Sequence, residues 1–252
     1  MKNFFESMAV AFAMYSKIPM PRVTWNKENM KYCLCFFPLI GAAVGIADGL
    51  WFRLCSLLQW SDLLRASVLT MLPLIITGGI HMDGFLDTSD ALASWQPAQE
   101  KLRILSDSHV GAFAVISAGG YLTLSLGILS QSRSNDMILI GAGFMLSRAW
   151  SGLGVVTLKK AKTSGLLHTF SDAAVNARVR TVMIIYIAAI SAGIILLDPF
   201  RGLAESVVCA LVFLYYRFMA YHKFGGITGD LAGFYVQISE LAMAAAVILL
   251  SP

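Results

Sequence analysis

Seven stretches of the chain are apolar for long enough to cross a bilayer: 33–52, 64–81, 110–130, 137–158, 181–197, 202–219 and 231–250. A helix covers the hydrocarbon with about 20 mainly apolar residues, and about 10 to 14 point to something shorter or interfacial. Phe4 to Tyr15 belongs to the second class. It contains Glu6, runs into Lys17, Pro19 and Pro21, and has no small-residue cleavage site, so it reads as an interfacial helix rather than a signal peptide. The pattern predicts an all-α polytopic membrane protein with about seven transmembrane helices plus a short N-terminal interfacial helix. A single domain covers 1–252, with 1–31 as the interfacial segment and 82–109 as a cytoplasmic loop carrying an acidic motif.

Charge orients this arrangement. Alternate loops place Lys2, Lys17, Arg22, Lys27, Lys31, Lys101, Arg103, Lys159, Lys160, Lys162, Arg178, Arg180, Arg217 and Lys223 on one side, against Arg53, Arg65, Arg133 and Arg201 on the other. Basic residues are retained inside, so the first side is cytoplasmic and the end of the last span is outside. Composition agrees: 57% hydrophobic and 13% charged residues, with mean hydropathy +0.70, exclude a water-soluble globule, which carries about a quarter charged residues. A net charge of +4 is too modest for a nucleic-acid binder. Cys33, Cys35, Cys55 and Cys209 lie in or beside apolar runs without metal-ligand spacing and read as small membrane-core residues.

The candidate chemistry starts in Gly78-Gly79-Ile80-His81-Met82-Asp83-Gly84-Phe85-Leu86-Asp87-Thr88-Ser89-Asp90. On a helix, Asp83, Asp87 and Asp90 fall within roughly 60° of one another. Such like charges repel by about 0.2–0.5 kcal/mol per pair even in water, and more where water is scarce. With oxygen donors and no nearby Cys, Mg²⁺ or Mn²⁺ would offset the repulsion; the bland alternative is a solvated face with Asp as helix caps. His81 lies about 160° from the stripe, so joining it would need a helix break at Gly84; it is a phosphate contact or general base, or else a plain interfacial histidine.

Further polar pieces accompany the stripe. Ser106-Asp107-Ser108-His109-Val110-Gly111 precedes a span and suits a phosphate-facing turn or a simple cap. Phe224-Gly225-Gly226-Ile227-Thr228-Gly229-Asp230 permits close backbone approach and offers Thr228 to substrate and Asp230 to a metal, or merely forms a tight turn. Arg148 and Glu240 lie equally deep, roughly 13–15 Å from the cytoplasmic ends, and are expected to form a salt bridge or floor a polar cavity. Asp48 and Glu205 are expected to meet water near the opposite interface. Lys159, Lys160 and Lys162, before Thr163 to His168, reflect topology or draw in an anionic nucleotide.

In this order the segments resemble the cobalamin (5′-phosphate) synthase family, also called adenosylcobinamide-GDP ribazoletransferase. The resemblance is carried by Ser16-Lys17-Ile18-Pro19, Phe37-Pro38-Leu39-Ile40-Gly41, the His81 to Asp90 element, Asp107-Ser108-His109-Val110-Gly111-Ala112-Phe113, and Gly225 to Asp230 with Glu240 behind it. Family members often carry arginine at the position of His109. The resemblance implies a Mg²⁺-dependent reaction of adenosylcobinamide-GDP with α-ribazole or its 5′-phosphate that releases GMP, at the cytoplasmic face of a bacterial inner membrane. It assigns Asp83, Asp87, Asp90 and more weakly Asp230 to the metal, Asp107 or His81 to activating the hydroxyl, and His109, Lys159 and Lys160 to nucleotide phosphate. Arg148 and Glu240 would line the base of the corrinoid cleft. Substrates and lipid bilayer are the expected partners, with no nucleic acid, and a homo-oligomer is compatible with the chain. The rivals are another aspartate-rich membrane phosphotransferase, a prenyltransferase, or a secondary transporter, which would place its acids nearer the bilayer midplane.

Overall fold

The computed structural model describes residues 2–161 and 176–251, so Lys162 and the segment Thr163 to His168 lie outside the described residues. An N-terminal helix α1 (Lys2–Tyr15) and a short α2 (Lys27–Met30) lead through a 3₁₀ turn (Cys33–Phe36) into α3 (Phe37–Leu57). There follow α4 (Asp62–Thr77), α5 (Ile80–Ala93), α6 (Ala98–Ile104), α7 (Ala112–Ser130), α8 (Asp136–Thr157), α9 (Asn176–Leu197), α10 (Pro199–Phe224) and α11 (Gly229–Leu249). Six of these, α3 with its 3₁₀ turn, α7, α8, α9, α10 and α11, are long and apolar enough to cross a membrane. The bent pair α4 and α5 passes the same test only when taken together, so the described residues hold six such helices, or seven with that pair counted as one, against the seven predicted stretches.

Helix boundaries follow local chemistry. Ser61 caps α4 by accepting from Leu64 N–H, Asp198 caps α10 by accepting from Arg201 N–H, and Thr228 caps α11 by accepting from Leu231 N–H. Between α4 and α5 the chain turns by 97°. Gly78 and Gly79 take φ of 65° and 77°, a left-handed conformation that side-chain-bearing residues adopt at a cost, so the double glycine makes the corner. The acidic stripe, expected on a helical face within the 82–109 cytoplasmic connection, lies on a separate helix that begins at Ile80 and is turned away from α4.

The bundle is held by close helix approach, because lipid tails offer no hydrophobic drive between helices. Gly41 and Gly45 of α3 lie against the backbone of α8 at Phe144 and Gly141. Opposite that seam Ile46, Leu50 and Leu54 are exposed, as a lipid-facing stripe should be. Asp48 shares the glycine face, being three residues beyond Gly45 and seven beyond Gly41. It is 2% exposed, which corrects the expectation that it meets water. Glu205 is corrected likewise: it is 0% exposed and lies beside Gly143 of α8. Position along a helix sets depth, but rotation about its axis decides exposure.

Two sets of contacts define the ends. At one, Arg65 donates to the Ser132 carbonyl, and Arg201 bridges Asp198 at 2.7 Å and Asp136 at 2.5 Å. The other gathers the exit of α1, where Lys17 N–H donates to Ile76 carbonyl, with α5, α6 and the starts of α7 and α11. All four cysteines are free, with Cys33, Cys55 and Cys209 buried.

Candidate active site

Helix α5 lies over the start of α11. The contact is made at Gly84, where a Cβ would stand 2.5 Å from the Asp230 carbonyl oxygen, closer than any side chain tolerates. The glycine beside Asp83 thus serves packing, and α5 runs unbroken through it. This close approach brings Asp230 to the acidic stripe. The crowding registers at Asp87, whose carboxyl is raised to about 6 by partial burial first, then by Asp83, Asp230 and Asp90. Among the described residues, no group of three or more His, Cys, Asp or Glu side chains is placed to hold a metal ion. The donor chemistry is all oxygen, which fits a hard divalent cation.

Asp90 differs from its neighbours on the stripe. Its Oδ2 accepts from Gly111 N–H at 2.6 Å and its Oδ1 from Ala114 N–H at 2.9 Å, capping α7 from another helix. The far end of α5 is tied down as well: buried Lys101 donates from Nζ to the Ala91 carbonyl at 2.9 Å, placing a cation at the negative end of the helix. Sequence reading missed Lys101, which there looked like one more loop charge.

The turn before α7 carries Asp107 and His109. His109 Nδ1 lies 2.7 Å from Asp107 Oδ1, and His109 N–H donates to the same oxygen at 3.0 Å. These bonds, the side-chain one first, hold the Asp107 carboxyl below the usual carboxylate range. The pair is solvent-accessible.

His81 is placed elsewhere. It is 4% exposed, enclosed by the Tyr15 and Phe37 rings, with Nε2 lacking a partner among the described residues. Beyond Phe37 lies Arg148, whose Nη1 binds Glu240 Oε1 at 2.5 Å, with Ser147 Oγ donating to that oxygen at 3.0 Å. The expected salt bridge is present and lies inside the bundle. Glu240 also borders a mostly apolar cavity with Thr70, Tyr121 and Ser125, which none of the stripe aspartates reaches. The Lys159–Lys160 backbone comes beside the glycine segment, with Ile227 N–H donating to the Lys159 carbonyl at 2.8 Å. Thr228 Oγ1 stands 3.4 Å from Asp230 Oδ2 while capping α11. The structure therefore brings Asp83, Asp87 and Asp230 near one another, with Asp90 on the same helix but bonded to the start of α7, and carries Lys159 and Lys160 to the neighbouring turn. It leaves His81, Arg148 and Glu240 in the interior.

Comparison with known proteins places these features. The cobalamin-5-phosphate synthase family model matches residues 7–248. An adenosylcobinamide-GDP ribazoletransferase of Lachnoclostridium phytofermentans is 43% identical over 98% of this chain and 95% of its own. Proteins of the same description from Clostridium botulinum strain Alaska E43 and Geobacillus sp. strain WCH70 are 30% and 31% identical, covering 96% and 94% of this chain and 96% and 93% of their own. No solved structure matches. A match from residue 7 to residue 248, spanning the acidic helix, the Asp107 turn and the glycine segment alike, means that the chain belongs to the cobalamin-5-phosphate synthase family.

Proposed function

We propose that this protein is an adenosylcobinamide-GDP ribazoletransferase acting with Mg²⁺ at the cytoplasmic face of the membrane. The observation that carries the reading is the convergence of Asp83, Asp87 and Asp230 where α5 crosses the start of α11, on a chain whose relatives bear that enzyme's name. In the reaction a hydroxyl of α-ribazole or its 5′-phosphate forms a new P–O bond to the phosphorus on the cobinamide arm. The P–O bond to the GMP phosphate breaks, and GMP leaves.

Asp83, Asp87 and Asp230 would hold the ion, which supplies charge neutralisation for the phosphoryl oxygens. The protein's own residues bind and orient. Lys159 and Lys160, beside the glycine segment, suit the nucleotide phosphates. Asp107 is the more accessible of the two candidate bases, being open to solvent and oriented by His109, a bond that also makes it a weaker base, whereas His81 is walled in by two rings. Arg148 and Glu240 support the bundle beneath the site.

Purified protein in detergent, given adenosylcobinamide-GDP, α-ribazole 5′-phosphate and Mg²⁺, should form adenosylcobalamin 5′-phosphate and one GMP per turnover, and a chelator should stop both. Folded protein that yields neither product removes the assignment.

A further inference from the structure

Asp90 is on the acidic stripe by sequence but off it by contact. Both of its carboxylate oxygens are engaged, at 2.6 Å and 2.9 Å, by the backbone N–H groups of Gly111 and Ala114. Those are among the unpaired donors at the start of α7, where the helix dipole is positive. The charge of Asp90 is thereby offset without a cation, while Asp87 still faces Asp83 and Asp230. Gly111 shows how tightly the two are joined: a Cβ there would stand 2.6 Å from Asp90 Oδ2 and 2.7 Å from Oδ1. Only a residue without a side chain lets the carboxylate reach this backbone.

We propose that Asp90 is a positioning residue: it fastens the turn bearing Asp107 and His109 to the acidic helix, and it does not ligate the metal. Its consequence for catalysis rests on the function proposed above. Asp90 sets where α7 begins, hence where the preceding turn stands relative to Asp83 and Asp87. Lys101, gripping the last turn of α5, holds the other side of the same joint.

The contact can be broken from either side. Asp90→Ala and Gly111→Ala should each speed hydrogen exchange of the Gly111-position and Ala114 amides about tenfold, the scale expected when charge-assisted backbone bonds are lost. Both should raise KM for α-ribazole 5′-phosphate more than they lower kcat, with non-additive effects in the double variant. Mn²⁺ affinity, read by electron paramagnetic resonance without substrate, should be unchanged in both and lost in Asp87→Ala. Asp90→Asn, which keeps one acceptor oxygen, should restore part of the protection. Loss of Mn²⁺ binding in Asp90→Ala but not in Gly111→Ala, or unaltered exchange in Asp90→Ala, overturns the proposal. A wild-type protein that binds no Mn²⁺ overturns the metal reading of the site instead, and the exchange data still decide the role of Asp90.

Discussion

At the scale of single residues, the four carboxylates around α5 are not equivalent. Asp90 is compensated by a helix terminus, whereas Asp87 is crowded by its neighbours and raised to about 6. Between the ordinary carboxylate value and that one, the folded state binds more protons than the unfolded chain, so stability falls as pH rises through the window, and the full penalty applies above it. Asp87→Asn lifts the penalty. Without divalent cations, the variant should unfold at a higher temperature than wild type at about pH 7.5, and the difference should close by about pH 4. Thermal unfolding of both proteins in detergent at each pH checks this; a difference independent of pH would show that Asp87 is not crowded. The stripe itself was legible, since helical spacing alone groups Asp83, Asp87 and Asp90. The partner of Asp90 was not, because it comes from a turn some twenty residues away.

At the scale of elements, the corner at Gly78–Gly79 and the crossing at Gly84 decide where the acidic helix lies. Gly84→Val should push α5 off α11 and lower turnover far more than it lowers the stability of the bundle, a contrast that activity and unfolding measurements on one preparation would reveal. Equal losses would mean that the crossing is not specific to the site. Deeper down, Arg148 and Glu240 join α8 to α11, and leaving either charge buried alone costs about 3–5 kcal/mol. Arg148→Met and Glu240→Met should therefore each destabilise strongly, and the double variant should recover most of the loss; additive losses in a double-mutant cycle would contradict the pairing. Equal depth along two spans was enough to foresee this pair. Asp48 and Glu205 escaped the same reasoning because exposure depends on which face a helix turns inward. For Asp48 the signal was present in Gly41 and Gly45, whose spacing marks the packed side.

At the scale of the whole molecule, counting the bent α4–α5 pair as a seventh crossing predicts that the two described ends of the chain lie on opposite sides. The acidic end holds the α1 exit, α5, the Asp107 turn and the glycine segment, and the other end holds Asp136, Arg201 and Ser251. With basic loops retained inside, Ser251→Cys should react with a membrane-impermeant maleimide in intact cells, and Ser106→Cys only after permeabilisation; the opposite pattern would invert the orientation. The spans were readable because bilayer thickness fixes their length. The 97° turn was hidden, because hydropathy continues across Gly78–Gly79 although the backbone does not. Phosphodiester exchange is proposed to take place at the carboxylates of α5, and single-turnover release of GMP from adenosylcobinamide-GDP is the decisive measurement. With wild type and Asp87→Asn compared at saturating α-ribazole 5′-phosphate and Mg²⁺, wild type should release one equivalent and the inserted, folded variant essentially none; release by the variant at the wild-type rate would contradict it.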